Sequence, residues 1–431
     1  MGACCFLPPL LLERLVLHGD PRQRALALRT LATDASLRSA RLQTGVLARR
    51  TVRASTGLQR SIFDAGGLEE QPGRLVRAEG QGPVGDAAAD EAYDGLGATY
   101  RLLAEEFGRD SLDDQGLPLV ATVHYGEDYD NAFWDGEQMV FGDGDGQVFL
   151  RFTLAVDVIG HELAHGMVQD EAALAYQGQS GALNESVADV FGALVKQHAL
   201  GQRADQADWL IGAGLLAPGV GGVALRSMAA PGTAYDDPVL GKDPQPAHYD
   251  DLVLTATDNG GVHINSGIPN RAFHLAAVGI GGSTVEGAGR IWYAALTGGA
   301  VTPGSDFADF AAATVAAAGE HSDVVREAWE QVGVTPGGAA SPAPRVLQVR
   351  RTGGFAGLTT AREVDLASED VDVTQVRDLF ARADLAAAVG GDPLPDMFVY
   401  EFQVDDQEPV RVPEQNLTED LVALARAVLD R

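Results

Sequence analysis

Three residues within five positions, His161, Glu162 and His165, are the first in the chain whose types and spacing suggest chemistry. The run around them, Asp157 to Met167, reads as a buried helix, which sets the two histidines one turn apart on a single face. Two imidazoles so placed can grip one zinc ion, with Glu162 within reach of a water at an open position. A His-Glu-x-x-His run arises by chance and needs support. Asn184-Glu185-Ser186-Val187-Ala188-Asp189 supplies it, inside a second helical run over 182–200. Glu185 can complete a His₂Glu set that leaves a position for water. Asp189, one turn on, can accept the spare ring N–H of a ligand histidine. A further imidazole, His263, lies in the Gly-rich stretch from Asp258 to Gly267. A satisfied structural histidine would fit there, but an acid five residues earlier favours an oriented catalytic ring.

These residues need elements to position them. Periodicity predicts helices over 87–107, 268–278, 287–297 and 306–329, and strands over 119–124 and 147–152. Gly142-Asp143-Gly144-Asp145-Gly146 between the strands reads as a hairpin turn, because it lacks the spaced acids of a calcium loop. Residues 336–344, rich in Pro, Gly and Ala, read as a linker. Beyond it, 345–431 reads as a small α+β unit: strands around the Gly353–Gly357 turn, a helix over 373–389, an alternating strand at Phe398, Tyr400, Phe402 and Val404, and a last helix capped by Thr418.

Composition narrows the function. The chain has 431 residues and a formal charge of −30, which argues against nucleic acid as a partner. No long apolar run predicts a membrane span. The only cysteines are the neighbours Cys4 and Cys5, so no disulfide framework is expected. The N-terminus does not read as a secretory signal. Cytoplasmic residence is therefore the default expectation, with export without a leader left open. Within residues 1–55 nine arginines face only three acids, and such a basic arm should dock on an acidic body. Helical character is expected over 26–31 and 37–46, and the apolar start, Cys4 to Leu12, looks built to fill a groove.

Over 58–335 the chain resembles the thermolysin family of zinc endopeptidases. The resemblance rests on five motifs in the family's order: Asn131-Ala132-Phe133-Trp134, His161-Glu162-Leu163-Ala164-His165, Gly181-Ala182-Leu183-Asn184-Glu185, Arg226-Ser227-Met228, and the stretch from Asp258 to Gly267. It implies an α+β fold of two lobes, a β-rich one over 58–152 and a helical one over 153–335, with the zinc helix at the floor of the cleft. It also implies roles. His161, His165 and Glu185 would ligate zinc, and Glu162 would act as general base. Tyr176 and His263 would stabilise the oxyanion, with Asp258 orienting His263. Asp189 and Asn184 would support the histidines. Asn131 and Ala132 would hold substrate backbone, and Arg226 the carbonyl beyond the scissile bond. Phe149, Phe152, Val158, Ile211 and Leu225 would line the primary pocket, implying cleavage of peptides and proteins before bulky apolar residues.

One departure concerns calcium. Asp157 and Asp208 match the family's double calcium site, but Lys196, Leu210 and Ala213 stand at its other positions. An ammonium there is incompatible with the ion pair, so the double site is expected to be absent. The arm over 1–57, with Pro8-Pro9-Leu10, resembles the short propeptide of protealysin-like members, which blocks the cleft and is cut away, here within 49–58. Capping of the zinc by a Cys4 or Cys5 thiolate and simple burial of an apolar thiol are both open. Residues 345–431, with Arg351-Thr352-Gly353-Gly354-Phe355, resemble emfourin, a small inhibitor of such enzymes, which implies a C-terminal domain acting on the chain's own cleft. A rival reading is a permanently latent protein whose appended segments serve binding.

Overall fold

The structure is a computed structural model and describes residues 4–44, 57–255, 257–338, 346–353, 358–366, 373, 376, 379–380, 397–404 and 409–429. Two compact units are present, one of residues 1–251 with 262–338 and one of residues 252–261 with 339–431.

The first unit carries a six-stranded mixed sheet. Its strands are β1 (Cys4–Cys5), β2 (Arg60–Asp64), β3 (Arg74–Ala78), β4 (Leu119–Val123), β5 (Ala132–Trp134) and β6 (Met139–Phe141), in the spatial order β1-β5-β6-β4-β2-β3. The basic arm thus contributes an edge strand, antiparallel to β5, with Cys4 opposite Trp134 and Cys5 opposite Phe133. Pro8 and Pro9 end that strand. Proline at the first helical position loses no hydrogen bond, so helix α1 (Pro9–His18) starts there. Helix α2 (Pro21–Thr44) follows as one element where two shorter helical stretches were expected.

Helix α3 (Ala87–Phe107) begins at Asp86, whose side chain accepts from the Ala89 N–H, and ends at Gly108 in the left-handed region. Helices α4 (Val156–Glu171) and α5 (Gly178–Leu200) are buried over most of their length. Their backbones approach closely because both carry glycine at the crossing. A Cβ on Gly192 would lie 2.4 Å from the Asp157 carbonyl oxygen, and one on Gly160 would lie 3.2 Å from the Gly192 Cα. A Cβ on Gly95 would meet Ile159 at 2.3 Å, so α3 is also pressed against α4. Helices α6 (Gly267–Ile280), α7 (Arg290–Thr297), α8 (Phe307–Ala317) and α9 (Ser322–Gln331) complete a helical lobe, with the rings of Trp292 and Trp329 stacked at 6.1 Å in its core.

Three expected elements differ. The single helix over 306–329 breaks at Gly319, whose φ of 53° no regular helix accommodates. The strand over 147–152 is reduced to one antiparallel bridge, Phe149 opposite Leu216, since the Asp145 carboxylate accepts the N–H groups of Gln147, Val148 and Phe149 and diverts them from a longer ladder. For the same reason 142–146 is no hairpin turn: β6 leads into a loop that ends in a 3₁₀ turn over Phe152–Leu154.

The second unit is built on an antiparallel sheet of β7 (Val346–Gly353), β8 (Leu358–Asp365), β9 (Phe398–Val404) and β10 (Val410–Pro413), ordered β8-β7-β9-β10. Tyr400, Phe402 and Val404 face a core shared with Leu421, Leu424 and Val428 of the last helix, α10 (Glu419–Leu429). The Thr418 hydroxyl accepts the Leu421 N–H at 3.3 Å, as a cap should. Of the helix expected over 373–389, Val373, Val376, Leu379 and Phe380 are helical, the first three buried, and the rest lies outside the described residues, as do 339–344 of the linker and 49–56 of the expected cut region.

Candidate active site

His161 and His165 project from α4 and Glu185 from α5, and the three converge in full burial. The two Nε2 atoms are 3.1 Å apart. Glu185 Oε2 is 3.6 Å from His161 Nε2, and Glu185 Oε1 is 3.5 Å from His165 Nε2. Four ligands about 2.05 Å from one zinc would stand about 3.3 Å apart in a tetrahedron, so the spacing fits.

The donor chemistry fits as well. The His161 Nδ1–H donates to Asp189 Oδ1 at 2.7 Å, and the His165 Nδ1–H to Asn184 Oδ1 at 2.8 Å. Neutral rings held in this way turn their Nε2 lone pairs toward each other, which is repulsive unless a cation lies between. Buried Glu185 Oε2 also has no hydrogen-bond donor. The described residues offer one such cluster. Cys5 is outside it: its side chain packs with Tyr125, Tyr129, Phe133 and Val140, which is the burial alternative of the two considered.

Asp189 ties the site together. Its Oδ1 also accepts from Arg226 Nη2, and its Oδ2 from Arg226 Nε and Asn270 Nδ2, each at 2.8 Å. Burial works to raise its pKa, but the Arg226 guanidinium and the bonds from His161 and Arg226 outweigh that and hold the carboxyl well below the usual range. Arg226 is itself buried, and the ladder pairing Ile211 with Arg226 brings Ile211 and Leu225 beside it. Asn270 was not singled out in the sequence. Only its place one turn into α6, after Gly267-Ile268-Pro269, could have hinted at a buried role.

Glu162 is fully buried, and its Oε2 accepts the Trp134 N–H at 3.0 Å, which fixes the carboxylate beside β5. His263 Nε2 lies 3.3 Å from the Tyr176 hydroxyl, which donates to Glu185 Oε1. Asp258 opens a run of four residues with positive φ, from Asp258 at 52° to Gly261 at 76°. Phe149, Phe152, Val158 and Ile211 are fully buried and Leu225 nearly so.

The arm enters this site. The Phe6 ring packs edge-on against His161 at 5.2 Å and Phe152 at 6.5 Å, under the Arg226 guanidinium. The Phe6 N–H donates to the Ala132 carbonyl, and the Leu7 N–H to Asn131 Oδ1 at 2.9 Å. Cys5, Phe6 and Leu7 are all buried, whereas Pro8, Pro9 and Leu10 lie past the deepest point and are half-buried. Asp34 of α2, also buried, accepts from the Tyr129 hydroxyl and from Asn131 Nδ2 at 2.9 Å, which aims Asn131 Oδ1 at the arm. Arg22 pairs with Asp128 at 3.0 Å, and Arg29 donates to the Glu127 carbonyl. The basic arm thus docks on an acidic stretch.

Two family models together span this part of the chain: the thermolysin metallopeptidase catalytic domain over 49–169 and its alpha-helical domain over 172–334. A third, emfourin, matches 349–429. The chain is 52% identical to the extracellular metalloprotease of Pectobacterium carotovorum over 77% of its own length and 96% of the relative's. It is 53% identical to protease PrtS of a Photorhabdus strain, over 65% of this chain and 77% of that one. The solved precursor of protealysin, a metalloproteinase from Serratia proteamaculans, superposes with a TM-score of 0.72 at 54% identity, over 77% of this chain and all of that one. The names of the first and of a minor metalloprotease from Serratia marcescens are extracellular. They overturn the expectation of cytoplasmic residence, which had rested on an N-terminus that does not read as a secretory signal, although no described helix is long and apolar enough to cross a membrane.

Proposed function

The chain belongs to the thermolysin family of neutral zinc metalloendopeptidases, and on that premise we propose that it is a latent precursor acting outside the cell, cutting before bulky apolar residues. The observation that carries this is the burial of Phe6 against Phe152 and His161, beside the ligand cluster. A pocket that takes a phenylalanyl ring from the arm would take one from a substrate.

His161, His165 and Glu185 would hold zinc, which would supply a Lewis acid and lower the pKa of a water to about 7. Glu162 takes the proton of the attacking water and passes it to the leaving nitrogen. His263 and Tyr176 donate to the carbonyl oxygen as charge develops there. Arg226 holds the next carbonyl, Asn131 and Ala132 hold the backbone amides, and Asp189 and Asn184 fix the histidine tautomers. Phe149, Val158, Ile211 and Leu225 close the apolar pocket with Phe152.

The arm over 1–57 serves in this reading as an inhibitory propeptide, and 345–431, after a linker over 336–344, as an inhibitor-like regulatory domain. Calcium is not needed at Asp157 and Asp208, because the Lys196 ammonium lies 3.3 and 2.9 Å from their oxygens. A panel of blocked peptides differing only at the residue after the scissile bond tests the specificity. Chelator-sensitive cleavage before Phe and Leu at least ten times faster than before Asp is expected, and equal rates would refute it. Adding residues 345–431 in trans to the matured enzyme should slow casein hydrolysis, and an unchanged rate at high excess would remove the inhibitory role.

A further inference from the structure

The arm crosses the site in a definite direction. The Cys5 carbonyl oxygen lies 3.0 Å from His263 Nε2, itself 3.6 Å from Glu185 Oε2. One residue on, the Phe6 carbonyl accepts from Arg226 Nη1 at 3.3 Å. Between these two carbonyls the Phe6 N–H donates to Ala132, and the Phe6 side chain is buried against Phe152 and His161. His263, Ala132, Arg226 and Asn131, four of the groups proposed to hold a substrate, are therefore engaged in order along the arm.

We infer that the arm lies as a substrate does, with the Cys5–Phe6 peptide bond at the point of cleavage, and that the precursor's first cut of itself falls there. This rests on the peptidase reading above. The step is a hydrolysis that needs only water. Its oxygen joins the Cys5 carbonyl carbon, the bond to the Phe6 nitrogen breaks, and the proton taken by Glu162 goes to that nitrogen. The products are a short peptide ending in a Cys5 carboxylate and a chain beginning with a Phe6 ammonium.

Such a cut does not release the arm. The near side of the bond is held by the two-residue strand β1 and buried Cys5, but most of the arm's anchors lie on the far side: Leu7 on Asn131, Arg22 on Asp128, Arg29 on Glu127, and buried Asp34 on Tyr129 and Asn131. The trimmed chain keeps its cleft filled by the new end. The first cut and the gain of activity on other proteins are therefore separate events.

N-terminal sequencing and intact mass of the full chain over time, in zinc, test this, with casein hydrolysis followed on the same samples. Wild type should accumulate a species beginning at Phe6 before casein cleavage rises, at a rate independent of protein concentration. Glu162→Gln should keep its original N-terminus. Phe6→Asp should lose this cut, and Phe6→Leu should restore it. A readout free of catalysis is amide exchange in Glu162→Gln: the Phe6 and Leu7 amides should exchange at least tenfold more slowly than in the same protein carrying Phe6→Asp. A wild type that comes to cleave casein without ever yielding a Phe6 N-terminus would overturn the inference and leave the peptidase reading standing. A protein that never cleaves casein, even with the arm clipped by an added protease, would sink both.

Discussion

Helices α4 and α5 carry two clusters built to surround a cation, and only one is closed by the protein itself. Asp157 is one turn before His161 on α4, and Lys196 is two turns after Asp189 on α5. In that outer cluster the Lys196 ammonium reaches Asp157 at 3.3 Å, both Asp208 oxygens at 2.9 Å and the Leu210 carbonyl at 3.1 Å. In the inner cluster two imidazole nitrogens and a carboxylate converge with no lysine or arginine nitrogen bonded to any of them among the described residues. The contrast teaches a division of labour. A tethered ammonium makes a permanent strut with no open position, whereas an ion held by three side chains leaves one for a reactant.

The comparison breaks most visibly at the inner cluster. Glu162→Gln should retain one zinc per chain and lose about 10²- to 10⁴-fold in kcat, the usual worth of a general base. Metal analysis beside peptide hydrolysis checks both halves, and loss of zinc would move Glu162 from base to ligand. His263→Ala should cost about 10²- to 10³-fold in kcat with zinc retained, as for an oxyanion donor. A change confined to KM would make it a binding residue instead. At the outer cluster Lys196→Met strands the buried Asp157 carboxylate. About 3 kcal/mol of stability should go, read as a lower denaturation midpoint, while kcat per folded molecule stays within twofold. An equal fall in kcat would mean that the two clusters are not independent.

A partly exposed cluster gives the smallest effect. His124 lies between Asp143 at 2.7 Å and Asp86 at 3.0 Å. The Asp143 bond, joined by that of Asp86 and opposed by burial, raises its pKa from 6.5 to about 9. A raised pKa stabilises the fold fully below pH 6.5, and that stabilisation fades as pH rises through 9. His124→Gln should flatten this part of the stability–pH curve. Lys196, whose pKa is raised from 10.5, should leave the same window unchanged when replaced.

The inner cluster was legible because its chemistry is local. His161 and His165 share one helical turn, and Glu185 and Asp189 share another, so spacing alone predicts two faces that can meet. Helix α3 was legible for the same reason, with apolar periodicity between an Asp cap and a Gly stop. The strand over 147–152 misled because an apolar run looks alike whether its N–H groups join a ladder or a side chain such as Asp145. The roles of Asp34 and Asn270 lay beyond reach, since each depends on a partner at least 81 positions away. Residence was misjudged from the N-terminus, and the relatives' names corrected it.

X-ray absorption at the zinc edge, on the full chain with its arm in place, tests the central claim most directly. Two nitrogens and at least one oxygen at about 2.0–2.2 Å from one zinc per chain, with no sulfur, are predicted. A sulfur scatterer at about 2.3 Å, or no stoichiometric zinc, would contradict the assignment of His161, His165 and Glu185 as the metal's protein ligands.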